Sequence, residues 1–204
     1  MSYAIDAKRA WKRIAALCLG MTLWSVSAFA QLIPSCTATI TSPITFSGFD
    51  VLSGAAVDTT GTFEVTCSGI LSTVSVSVCP SIEAGPGGQS GGIRRMQRVS
   101  GTETLNFGLY QDAARTIPWG SVNDPTLGDP PLITFSVPLL SSASESLTIY
   151  ARRFGGQTGI TPGTYQSDFS GAETEILYGT AVGLSDCTGD LTLLTKSTTA
   201  SFIV

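Results

Sequence analysis

The chain has 204 residues, 11 Lys and Arg against 15 Asp and Glu, and no histidine. The acidic balance and the shortage of basic residues argue against nucleic acid or an anionic membrane as a partner. The missing histidine removes the commonest general base, and with it most hydrolase designs.

The N-terminus reads as a targeting segment. Lys8, Arg9, Lys12 and Arg13 form a basic region, followed by the apolar run "IAALCLGMTLWSV" and the small residues Ala28 and Ala30. This is the order of a secretory signal peptide over residues 1–30, cleaved after Ala30. The apolar run is short for a membrane-spanning helix, and no other segment has the length and apolarity of one. Cleavage leaves 174 residues, a one-domain length, and removes four basic residues and Asp6, taking the net charge from −4 to −7.

Five cysteines occur, and Cys18 lies in the signal. Cys36, Cys67, Cys79 and Cys187 remain. An even count in an exported chain reads as two disulfides, with three connectivities open. No C-x-x-C pair occurs, so no metal site is expected.

The mature chain then alternates with period two, in short runs separated by turn residues. "TFEVTCS" places Phe63, Val65 and Cys67 on one face. "TVSVSVCP" places Val74, Val76 and Val78 opposite Ser75, Ser77 and Cys79. "TLNFGLYQD" alternates Leu105, Phe107 and Leu109, and "SLTIYARRF" alternates Leu147, Ile149 and Ala151. "GTYQSDFSG", "TEILYGTAV" and "TTASFIV" complete the series. The pattern predicts antiparallel strands with one face buried, in an all-β sandwich. Two stretches read as loops: Pro80–Gly92, rich in glycine, and Pro118–Pro131, which carries four prolines and Trp119.

Several of these runs resemble the spore coat protein U family, which includes subunits of archaic (Csu-type) chaperone–usher pili. The matching stretches are "SCTATI", "ITFSGFDVLSG", "DTTGTFEVTCSG", "RRMQRVSGTETLNFGLYQDAARTIPWGS" and "GTYQSDFSG". The likeness runs from about Cys36 to about Tyr178, and Leu109–Gly120 is its most specific part. It implies an immunoglobulin-like antiparallel β-sandwich, completed in this family by a strand from elsewhere. It also implies a periplasmic pilus chaperone, an outer-membrane usher and neighbouring pilus subunits as partners. For the cysteines it implies the pair Cys36–Cys67, and with it Cys79–Cys187.

Shaft subunits of such pili lend a long N-terminal strand to a neighbour. Here Gln31–Ser35 alone precede Cys36, and five residues span at most about 18 Å. An ordinary shaft role is therefore not expected. The C-terminal "TTASFIV" resembles the segment that joins the two domains of tip subunits. Residues 31–190 are expected to form the domain. Residues 191–204 are expected to be its own closing strand or the start of a linker or donor strand, with Ala200, Phe202 and Val204 as the strand-exchange residues.

Other chemistry is weighed against these readings. Glu173 and Glu175 invite a paired-carboxylate site, but two solvent-facing carboxylates opposite buried Ile176 are the expectation. "GPGGQSGG" lacks the G-K-[ST] ending of a phosphate loop and reads as a flexible hairpin loop. Arg94 and Arg95 are expected to pack their stems on the sheet surface. Asp112 and Arg115 are placed to pair across "QDAAR". The proline-rich loop offers an apolar tip of Trp119, Val122, Leu127, Pro130, Pro131 and Leu132. It is the expected adhesive loop, since exposed apolar loop tips mark contacts. Trp119 also fits a buried W-G turn. The expected function is a secreted structural or adhesive pilus subunit, of tip type, without enzymatic activity or cofactor. A free-standing secreted carbohydrate-binding module is the alternative.

Overall fold

The computed structural model describes residues 34–47, 54–69, 71–180, 185–188 and 194–204. The predicted signal peptide and its cleavage site lie outside these residues. Among them there is no α-helix, and two short 3-10 turns accompany the strands. The strands are β1 (Ser35–Ser42), β2 (Val57–Ser68), β3 (Val74–Ile82), β4 (Gln89–Ser90), β5 (Ile93–Arg98), β6 (Thr104–Tyr110), β7 (Ile133–Val137), β8 (Ser142–Arg153), β9 (Tyr165–Gln166), β10 (Asp168–Phe169), β11 (Thr174–Thr180), β12 (Thr195–Thr198) and β13 (Phe202–Ile203).

One sheet runs β1-β2-β8-β6-β5-β4, with β9 also on β5. A second runs β12-β11-β3-β7, and β10 with β13 forms a small ribbon. Every pairing is antiparallel. The protein is an immunoglobulin-like β-sandwich.

The alternation read in the sequence becomes the core. Phe63, Val65 and Cys67 from β2, Leu105, Phe107 and Leu109 from β6, and Ile149 and Ala151 from β8 face Val76, Val78 and Ile82 from β3 and Ile176 from β11. Burying one such large apolar side chain contributes about 1.5–3 kcal/mol. Cys36 is bonded to Cys67 across the β1–β2 pair, where the two residues stand directly opposite. Cys79 is bonded to Cys187 over a separation of 108 residues.

The second sheet is covered on both faces, which the sequence did not announce. Behind β3 and β11, Cys79, Leu177 and Cys187 form a small core of their own, against Val122, Leu132 and Leu194. Its cover is the proline-rich loop. That loop lies down along the sheet and is held by Ile82 N–H to the Gly120 carbonyl, 3.2 Å, and Val122 N–H to Ser81 Oγ, 3.0 Å.

The expected apolar tip on this loop is therefore not there. Trp119, Leu127, Pro130 and Pro131 are buried, and Val122 and Leu132 are half-buried. Trp119 belongs to the main core, tilted against Phe63 at 5.8 Å between ring centroids, with Nε1 donating to the Pro80 carbonyl at 3.0 Å. Of the two readings of this residue, the buried W-G turn is the one observed. Gly120 permits it, because a Cβ there would run into the Gly128 carbonyl on the returning strand of the loop.

Four charged residues also depart from expectation. Arg94 points into the interior, where its guanidinium donates to the Glu83 carbonyl (2.8 Å) and the Ile82 carbonyl, and burial lowers its pKa to about 10. It pegs the end of β3 to β5, while Arg95 is half-buried. Glu175 is buried and bonds Lys196 Nζ at 3.0 Å and Asn123 Nδ2 at 2.9 Å; Glu173 accepts from Gly85 N–H at 2.9 Å. Neither carboxylate faces solvent freely, because each is taken up by a neighbouring segment. Arg115 does not pair with Asp112. The Asp112 carboxylate is occupied by the amides of Thr116 and Ile117, and Arg115 reaches Asp58 at 3.3 Å instead.

Candidate functional site: a closed seam and an apolar loop tip

The two sheets leave a seam between β1, the edge of the first, and β11 in the second. The C-terminal segment fills it. β12 lies against β11, from Tyr178↔Thr195 to Glu175↔Thr198. Thr199 N–H then donates to the Thr174 carbonyl at 3.1 Å, their hydroxyls are bonded, and Ala200 N–H crosses to the Ala38 carbonyl of β1 at 3.0 Å. The segment thus touches both walls within two residues. It ends as β13 on β10, with Ser167 and Val204 exchanging two 2.9 Å backbone bonds.

Side chains alternate along it as a strand requires. Phe202 and Val204 are buried and Ile203 between them is exposed, while the alternation breaks at Ala200 and Ser201, which are both exposed. Phe202 stacks on Phe169 with centroids 4.8 Å apart and planes 15° apart. Lys196 adds the ion pair to Glu175, its own side chain largely in solvent. Backbone bonds supply the register and alternate apolar residues fill the floor, which is the physics of strand addition. Of the three expected strand-exchange residues, Phe202 and Val204 pack inward and Ala200 contributes its backbone.

Beyond Val204 the seam opens into a cleft of about 730 Å³, lined by Ile44, Phe46, Met96, Leu105, Tyr165 and Val204 among others. Its outer wall is the stretch after β1, where Ile44 and Phe46 turn inward and Pro43, Thr45 and Ser47 outward.

At the other end of the sandwich two short loops meet. Gly69, after β2, donates its N–H to the Ser141 carbonyl between β7 and β8. These loops carry Leu71, Leu139 and Leu140, exposed by 75%, 52% and 73%. Leu140 stands at φ 50°, the left-handed region that turns normally give to glycine or asparagine. The β7–β8 turn thus holds a bulky apolar residue on an unfavourable backbone and points it into water. Ile44 packs beside Gly61, eight residues from Gly69 along β2, so cleft and leucine tip are about 27 Å apart.

Sequence reasoning looked for exposed apolar residues in the proline-rich loop, where the structure buries or half-buries them, and passed over this one. The available signal was "VPLLSS": two leucines in a turn between Pro138 and Ser141, outside any alternating run. "SGILST" gives the same signal more weakly.

The outer face of the first sheet carries one more polar group. Asp58 accepts from Arg152 at 2.7 and 2.9 Å and stands beside Arg115, which lies 5.9 Å over the Tyr150 ring. The Arg152 hydrogen bond holds the Asp58 carboxyl below its ordinary range, and burial pushes the neighbouring Tyr110 phenol up. Among the described residues no group of His, Cys, Asp and Glu is arranged to hold a metal ion.

A search of curated proteins finds no match to this chain. The sequence model of the Spore Coat Protein U domain matches residues 22–170, from within the predicted signal peptide through β10. The match stops before β11 and the closing segment, so it covers one wall of the seam and not the strand that fills it. Residues 22–170 are well over half of the chain, and on that match the protein belongs to the Spore Coat Protein U domain family.

Proposed function

We propose that this protein is a tip-type subunit of a chaperone–usher pilus, whose domain closes its own seam and attaches to surfaces through the leucine tip. Family membership supports a general role as a pilus subunit. The observation that carries the tip assignment is the filled seam. A shaft subunit keeps this groove for a neighbour's strand, whereas here residues 195–204 of the same chain occupy it. A domain closed in cis needs no subunit beyond it and suits the distal end of a fibre.

The geometry of the two ends agrees. Val204 lines the cleft at one end of the sandwich, and the leucines sit at the far end, where a fibre would meet a surface. Apolar side chains held in water on a turn are stabilised by nothing in the domain, and a contact outside it accounts for them. In this reading the protein is exported through its signal peptide, cleaved after Ala30. It is then carried by a periplasmic chaperone and placed by an outer-membrane usher ahead of the neighbouring subunits. No catalytic step is required of it.

The test is adhesion of the purified protein to a polystyrene surface. A Leu71→Ser, Leu139→Ser, Leu140→Gly variant should lose most of its binding. Its Tm should be unchanged or slightly higher, because glycine relieves the left-handed position. Undiminished binding by a folded triple variant would remove the tip from this account.

A further inference from the structure

Tyr110 does not stand up from the first sheet; it lies down on it. A Cβ built on Gly108, two residues earlier on the same face of β6, would meet Tyr110 Oη, Cε2 and Cζ at 2.6–2.8 Å. The glycine makes room for the ring to rest against the strand, and the residue stays half-buried there. A flat aromatic face on a rigid strand is a platform for the C–H side of a planar or ring-shaped ligand.

What surrounds this platform narrows the ligand. Across the sheet from Gly108 stands Arg152, and beyond it Asp58. Arg152 engages Asp58 through Nε and Nη2, so the two planar groups form a fixed fork rather than two mobile charges. Arg115 stands 3.3 Å from the same Asp58 oxygen that Arg152 Nε engages and lies 5.9 Å over the ring of Tyr150, while Tyr110, paired beside Tyr150, is half-buried. The fork offers hydrogen-bond donors and acceptors in one plane; the charges of Arg152 and Asp58 cancel within it, and Arg115 beside it carries the one excess positive charge.

The face then continues with few charges, Glu145 of β8 being exposed as well. Apart from Glu64, every outward position of β1 from Ser35 to Thr41, of β2 from Thr60 to Ser68 and of β8 from Ser142 to Thr148 is serine or threonine. Hydroxyls in register across three strands, such as Thr66 Oγ1 and Ser144 Oγ at 2.7 Å, both donate and accept. Of the carboxylates on this face, Asp58 is held by Arg152 and Arg115, and Glu64 stands between Thr39 and Ser146. A charged ligand would call for opposite charge there, and an apolar one would not be met by hydroxyls.

We infer that the outer face of the β1-β2-β8-β6 sheet binds a neutral polysaccharide, one sugar stacked on Tyr110 and hydrogen-bonded by the Asp58–Arg152 fork, with the chain running onto the hydroxyl rows. This site is separate from the leucine tip and does not depend on the pilus reading.

Affinity electrophoresis of the purified protein in gels containing galactomannan, xyloglucan or laminarin, with alginate as the anionic comparison, tests it. Wild type should be retarded by at least one neutral polymer and not by alginate. Tyr110→Leu, which keeps an apolar cover on Gly108 but removes the ring face, should weaken binding at least tenfold. Arg152→Lys, which keeps the charge and loses the fork, should weaken it several-fold, and it decides the matter if Tyr110→Leu does not fold. Leu139→Ser with Leu140→Gly should leave retardation unchanged. The inference is overturned by no retardation in any neutral polymer, by retardation in alginate alone, by wild-type binding in a folded Tyr110→Leu or Arg152→Lys, or by loss of binding in the leucine variant.

Discussion

If residues 195–204 close the sandwich, two neighbouring substitutions at its end must behave very differently. Phe202 is 7% exposed and stacked on Phe169, while Ile203, the next residue, is 52% exposed on the opposite face. Phe202→Ala removes a ring from a packed site. Buried Phe→Ala changes cost about 3–5 kcal/mol, of which roughly 0.5–1.5 is the ring pairing itself. The site lies near the end of the strand and relaxes more easily than a central one, so about 3 kcal/mol is expected. For a domain of this size that is a fall in Tm of about 6–12 °C. Ile203→Ala should stay within about 0.5 kcal/mol of wild type. Urea denaturation of both variants and wild type measures the difference, and the slope gives a second readout. A strand that detaches in the native state exposes its groove before unfolding and lowers m. Equal shifts for the two variants, or none for Phe202→Ala, would refute the closing-strand assignment.

Two further outcomes follow from the same packing. Replacing Cys79 and Cys187 together by serine should cost about 4–5 kcal/mol in urea titrations, because the bridge closes a 108-residue loop; a loss under about 1 kcal/mol would mean the unfolded chain is already compact there. Asp58 bears on acid stability. Arg152 lowers its folded-state pKa, so its contribution is present above the unfolded carboxylate value near about 4 and is lost as pH falls through the lower folded value. The pair is exposed, so Asp58→Asn should cost no more than about 1 kcal/mol at pH 7, and the urea midpoints of variant and wild type should converge in acid.

How much of this was legible in the chain depends on the reach of each residue's partners. The strands came through because period-two alternation is local: Phe63, Val65 and Cys67 carry their own orientation, and the structure places all three in the core. Arg94 and Glu175 were misplaced because their partners come from afar. Arg94 is buried among the carbonyls of residues 82 and 83, and Glu175 by a lysine on the closing strand. Nothing beside either residue in the sequence marks it as interior. Ser77 and Ser81 mislead in the same way. Ser77 makes β3 look like a strand with one wet face, and Ser81 lies in the stretch that reads as a loop, although β3 runs on to Ile82; both are buried, since the segments that cover that face arrive from residues 118–132 and 187.

The apolar loops show why length, more than composition, decides exposure. Both Pro118–Pro131 and Pro138–Ser141 set apolar residues among turn residues, and on composition the first is the better candidate for a surface patch. But fourteen residues reach far enough to fold back along a sheet, and burying Leu127, Val122 and Trp119 there is favourable at about 25 cal/mol for each Å² removed from water. A turn closed by Ser141 N–H to the Pro138 carbonyl has two residues between its ends. It cannot reach the sheet, so Leu139 and Leu140 remain in solvent whatever their hydrophobicity. An apolar residue in a long loop is evidence of a fold-back core. The same residue in a two-residue turn between strands of the two sheets has no internal burial open to it, and Leu140 holds its place even against a left-handed backbone that glycine would occupy more comfortably. That asymmetry is why the exposed apolar side chains stand at the leucine tip while those of the proline-rich loop are covered.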